Sequence, residues 1–150
     1  MSEFRFHHCE RRRVDQALPA LVEGLYAEGR RVVVRAPSKE MADALSDRLW
    51  TYDDASFLPH GGPGDGDPAT QPIFLTDRIE NPNVATVLVL LAGAETSPDD
   101  AAFLVAIRLF DGRDAEAIGE ARREWKRLKD DGAALSYWRE GDEGGWEKAR

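Results

Sequence analysis

Apolar and polar positions alternate through Phe4-Arg5-Phe6-His7, which predicts a short first strand. Leu18, Leu21, Val22 and Leu25 then recur at helical spacing and predict a helix, with Pro19 in its first turn and Gly29 as its C-terminal stop. Residues 31–35 are β-branched and apolar at their centre, as a buried strand is, and complete a β-α-β opening. Ser38 is placed to cap a second helix, in which Met41, Ala42, Leu45 and Leu49 form an apolar stripe and Trp50 closes the last turn. Residues 51–72 are rich in turn formers and predict a long surface loop that contains the glycine-rich stretch 61–68.

Ile73-Phe74-Leu75-Thr76 predicts a third strand and residues 86–91 a fourth, central one, with Asn81-Pro82-Asn83 turning between them. The spacing of Phe103, Ile107 and Phe110 predicts a third helix ended by Asp111-Gly112. A fourth follows over 114–130 and stops at Gly132. Residues 135–138 fit either a last strand or an extended tail. Strands alternating with helices imply an α/β fold with a mostly parallel sheet covered on both faces, and ligands then favour the carboxyl ends of the strands.

Composition narrows the class. The chain has 150 residues, 42% apolar and 32% charged, an ordinary balance for a folded chain. The pattern divides it into one domain over 1–139 and a polar, glycine-rich tail over 140–150 that is expected to fray. No apolar run approaches the roughly 20 residues that cross a bilayer, and the first residues lack the layout of a signal peptide. Cys9 is the single cysteine, which excludes an internal disulfide. A cytoplasmic protein with no membrane contact is expected. The net charge of −8 repels phosphate backbones, so strong direct binding to DNA is not expected either.

Catalytic, cofactor and metal chemistry find little support. The glycines between 61 and 66 are followed by no Gly-Lys-Ser/Thr and by no helix start. The first β-α turn, His7-His8-Cys9-Glu10-Arg11-Arg12-Arg13, has no glycine, so it lacks the nucleotide-binding fingerprint of a Rossmann-type domain. His7, His8, Cys9 and Glu10 lie on alternating faces of a strand and cannot converge on one ion. No serine sits in a nucleophile elbow. Asp53-Asp54 and Asp99-Asp100 read as loop and helix-start residues.

The fourth helix stands out. Ile118, Ala121, Trp125 and Leu128 make its apolar stripe, and Arg122, Lys126 and Lys129 lie beside it at spacings of four and three. Trp125 falls on the border. The arrangement fits a docking site for a peptide ending in an apolar side chain and a carboxylate, and equally a solvated basic face over a core helix.

Three segments resemble the chi subunit of bacterial DNA polymerase III. They are Arg31-Val32-Val33-Val34-Arg35-Ala36-Pro37 with Leu49-Trp50-Thr51-Tyr52, then Ser56-Phe57-Leu58-Pro59-His60-Gly61 with Gln71-Pro72-Ile73, and Leu109-Phe110-Asp111-Gly112-Arg113-Asp114 with Arg122, Trp125-Lys126, Gly132 and Tyr137-Trp138. The resemblance implies a Rossmann-like three-layer α/β fold without a nucleotide site. It implies an accessory, non-catalytic subunit of the clamp-loader assembly, without cofactor. That family bridges the replicase to single-stranded DNA-binding protein by gripping its acidic C-terminal tail, which ends in phenylalanine. Arg122, Trp125 and Lys126 match the family's tail-binding positions, and Lys129 matches a further basic one.

A second partner implied by the resemblance is the small psi subunit or another clamp-loader or polymerase subunit. Trp50, Phe57, Leu58 and Pro59 are the candidates for that contact, unless Phe57 and Leu58 fold back on the domain's own core. The chain differs from better-known members over 61–68 and after Arg139. The alternative function is a Rossmann-type small-molecule or nucleotide-binding domain, which needs a phosphate site the sequence does not display.

Overall fold

The first strand, β1 (Glu3–Cys9), turns Phe4 and Phe6 to one face of a sheet and Cys9 to the other, following the alternation of its sequence. The computed structural model describes residues 2–51, 59–142 and 145–149. After β1 come α1 (Val14–Ala27), β2 (Val32–Arg35), α2 (Lys39–Thr51), β3 (His60–Gly61), β4 (Ile73–Thr76) and β5 (Val87–Leu91). Then follow β6 (Val105–Asp111), α3 (Ala115–Asp130), β7 (Leu135–Glu140) and β8 (Trp146–Lys148). The strands form one sheet in the order β3-β4-β2-β5-β6-β1-β7-β8, parallel throughout except where β8 runs against β7. α1 and α2 cover one face with Leu18, Leu21, Val22, Leu45 and Leu49, and α3 covers the other with Ala117 and Ala121. The fold is thus α/β with helices on both faces of a mostly parallel sheet.

Four expectations change. Pro19 is the sixth residue of α1, not part of its first turn. It cannot donate to the Asp15 carbonyl four residues back, and that oxygen accepts from Arg48 Nε of α2 at 3.4 Å instead. Met41 is 42% exposed and lies off the apolar stripe, which Ala42, Leu45 and Leu49 carry alone.

The segment expected as a third helix is β6, held between β5 and β1. Val105, Ile107 and Leu109 pack under α1, while Ala106 and Phe110 pack under α3. A strand buried on both faces shows no period-2 pattern, so its apolar residues imitate helical spacing. The tail expected to fray from Glu140 includes β8, whose three residues pair with β7 and whose Trp146 packs against the core.

Glu140 ties this end of the sheet to the turn after β1. Its Oε1 accepts from the amides of Glu10, Arg11 and Arg12 at 2.8, 3.0 and 3.2 Å, and Oε2 accepts from Arg12 Nε at 2.9 Å. Burial alone would raise this carboxyl's pKa, but the hydrogen bonds from Arg11 and Arg12 outweigh it and hold the group below the usual carboxylate value. A carboxyl depressed by folding stabilises the protein above its unfolded pKa and stops doing so as pH falls through the folded one. Glu140→Gln is therefore expected to cost about 1 kcal/mol at neutral pH, with the gap to wild type closing in acid. Denaturant unfolding at several pH values measures it, and a gap independent of pH would exclude the charge as its cause.

Candidate functional site

α3 starts on Asp114, whose Oδ1 accepts from the amides of Glu116 and Ala117 at 3.0 and 3.3 Å, and it stops at Gly132, at φ +81°. Ala117 and Ala121 let the helix lie close to the sheet. Glu124, also on its inner face, forms a two-pronged ion pair with the buried Arg108 of β6, both bonds at 2.8 Å. Arg108 donates further to the carbonyls of Leu91 and Ala94. This pair fixes the rotation of α3 about its axis. Ile118 and Trp125 are left half-buried at the helix border, and Arg122 is exposed.

A groove of about 570 Å3 opens along that border. It lies at the carboxyl ends of β6, β1 and β7, neighbours in the sheet that come from distant parts of the sequence. Phe6, Phe110, Ile118 and Trp125 wall it, with the Trp125 ring edge-on to Phe6 at 5.4 Å and to Tyr137 at 6.4 Å between centroids. His8 stacks on Phe110 at 5.0 Å and its Nδ1 hydrogen-bonds the Tyr137 hydroxyl. Burial holds the His8 pKa below its usual value. Gly112 makes room for this ring, since a Cβ there would collide with it.

Two guanidinium groups border the groove. Arg122 has no ion-pair partner among the described residues, whereas Arg139 pairs with Glu10, donating from Nε to Oε1 at 2.8 Å. An apolar trough with one free guanidinium at its rim is suited to a ligand that carries an apolar group beside an anion.

Of the residues singled out from the sequence, the structure brings Arg122 and Trp125 together at the groove. Lys126 and Lys129 are exposed on α3 and do not line it. Trp50 is elsewhere, on α2 across the sheet. It is 54% exposed, with its ring 4.4 Å from that of His60, and it lines a cleft with Asp43, Asp47 and Asp65. Pro59 is half-buried, while Phe57, Leu58, Asp53 and Asp54 lie outside the described residues.

His7 and His8 point to opposite faces, as their alternation requires. His7 packs between Trp138 and Trp146, where burial pushes its pKa down to about 3, and burial pushes the Cys9 thiol up to about 12.

Sequence reasoning missed Glu10, His8, Tyr137 and Arg139 as groove residues. The alternation of Phe4, Phe6 and His8 was a usable signal for one wall. Nothing local showed that β1 lies between β6 and β7.

The family model of the DNA polymerase III chi subunit (HolC) matches residues 1–136. A curated relative from Rickettsia prowazekii (strain Madrid E), named as a probable DNA polymerase III subunit chi, is 33% identical over 108 residues. The match covers 72% of this chain and 62% of that relative, so the chain spans less than two thirds of the relative's length. The family match includes all of α3, while Tyr137, Arg139 and β8 lie past its end. The chain belongs to the DNA polymerase III chi subunit family.

Proposed function

We propose that this chain is a non-catalytic accessory subunit of the DNA polymerase III clamp-loader assembly in the bacterial cytoplasm. In this reading it binds the acidic C-terminal tail of single-stranded DNA-binding protein in the α3 groove. The observation that carries the reading is the Arg122 guanidinium, without an ion-pair partner among the described residues, beside walls of Phe6, Phe110, Ile118 and Trp125. A C-terminal phenylalanine offers a phenyl ring and a carboxylate on the same residue. Burying the ring in the trough contributes about 1.5–3 kcal/mol, and the guanidinium supplies two parallel donors to the carboxylate.

Lys126 and Lys129, exposed further along the same helix, attract the acidic residues that precede the phenylalanine. Trp50 and Pro59 are the described candidates for a second contact, with the psi subunit or another polymerase subunit, and Phe57 and Leu58, candidates for the same contact, lie outside the described residues. α2 and α3 lie on opposite faces of the sheet, so the two partners can be held at once. Family membership supports the role in replication.

The test is a calorimetric titration with a peptide of the tail's last nine or so residues, against the same peptide lacking its terminal phenylalanine. The full peptide is expected to bind and the shortened one to fail. Binding should weaken steeply with salt, because exposed charge pairs are screened over about 8 Å at physiological ionic strength. An affinity indifferent to salt would count against α3 as the site.

A further inference from the structure

We infer that the Glu10–Arg139 ion pair sets the anion selectivity of the groove, by masking its second guanidinium so that a ligand must bring an apolar anchor as well as a negative charge. The inference rests on the tail-binding reading of the groove.

Glu10 follows directly on β1, and β1 pairs with β7 so that His8 lies opposite Arg139. The Glu10 amide is held by the Glu140 carboxylate at 2.8 Å, so the residue beside Arg139 fixes the backbone from which the Glu10 side chain reaches over. One Glu10 oxygen, Oε1, accepts from both Nε and Nη2 of Arg139. The two side chains are 30% and 56% exposed, and both line the groove together with Arg122. Pairs this exposed contribute little to stability, unlike the buried Arg108–Glu124 pair behind α3. The position of this one on the groove wall therefore points to binding.

With Glu10 and Arg139 paired, the two charges cancel and an incoming anion gains only from Arg122. A polyanion that offers charge without an apolar end, such as a nucleic-acid backbone, gains little there. A terminal carboxylate with an aromatic side chain still gains the trough and Arg122. Freeing Arg139 would strengthen the attraction for every anion and blunt that distinction.

The experiment titrates the nine-residue tail peptide and a single-stranded oligothymidylate against wild type, Glu10→Gln, Arg139→Ala and the double variant, with thermal melts to confirm folding. Glu10→Gln is expected to bind the peptide about three- to fivefold more tightly and to gain at least as much for the oligonucleotide. Arg139→Ala should weaken peptide binding, because it leaves Glu10 unpaired at the groove, and the double variant should return close to wild type. If neither single variant moves the affinity, or both move it the same way, while Arg122→Ala still weakens binding strongly, the pair does not tune the groove and the tail-binding reading stands. If the peptide fails to bind wild type, or binds without need of Arg122, that reading falls and this inference with it.

Discussion

Arg122→Ala is expected to weaken binding of the acidic tail by about 2 kcal/mol or more, roughly thirtyfold, with no matching loss of stability. The side chain is exposed and has no ion-pair partner among the described residues, so the fold has little to lose. A docked carboxylate, by contrast, would lose both parallel donors. Arg123→Ala is the control. Arg123 lines a neighbouring cleft with Glu120 and Arg127 on the far side of the helix and should leave binding nearly unchanged. Trp125→Ala removes a groove wall but also a ring packed on Phe6 and Tyr137, so it mixes binding with stability. Should Arg123→Ala prove the damaging change and Arg122→Ala the silent one, the tail lies on the other side of α3.

A larger effect on stability is expected from Asp100→Ala, about 3–5 kcal/mol. Arg35 closes β2 with its side chain 1% exposed, and Asp100 answers it with two parallel bonds at 2.9 and 3.0 Å. Asp100 also accepts from the Ser97 amide at 2.8 Å, and Arg35 donates to the Glu95 carbonyl at 3.0 Å. Removing the carboxylate leaves a guanidinium away from water with one remaining carbonyl, and cationic arginine does not relieve this by losing a proton. Chemical denaturation of the variant reads the loss directly. A drop below about 1 kcal/mol would mean that water reaches Arg35 once the carboxylate is gone.

Neither of the two buried arginine pairs was legible in the sequence. Arg35 stands at the end of an apolar strand and Arg108 in the middle of another, where charge ordinarily argues against burial. Their partners lie 65 and 16 residues away and become visible only when the chain is folded. What the sequence did disclose was local: the β-α-β opening, the capped α2, and α3 with its apolar border and basic row.

The failures have separate physical origins. The sequence of β6 reads as a helix because burial on both faces erases the alternation that marks a strand. β8 was missed because three residues flanked by glycine and charge carry too short a pattern to read, although Trp146 among them was a hint. The groove was half visible, since α3 supplies Ile118, Arg122 and Trp125 from one stretch. Its other wall joins β1 to β7, whose neighbouring residues His8 and Tyr137 are 129 positions apart.

The two ends of the sheet bear on how such a subunit keeps company with others. Among the described residues the outermost strands are His60–Gly61 and Trp146–Lys148, two and three residues long. An unpaired strand edge is a template on which a second chain can zip up through its backbone, and short, charged edges offer that template little length. Glu147 and Lys148 put charge on one of them. The long strands, β1 and β6, are both enclosed by neighbours. Pairing edge to edge is thereby given little length to work on, so copies of this chain can crowd together without polymerising through their sheets.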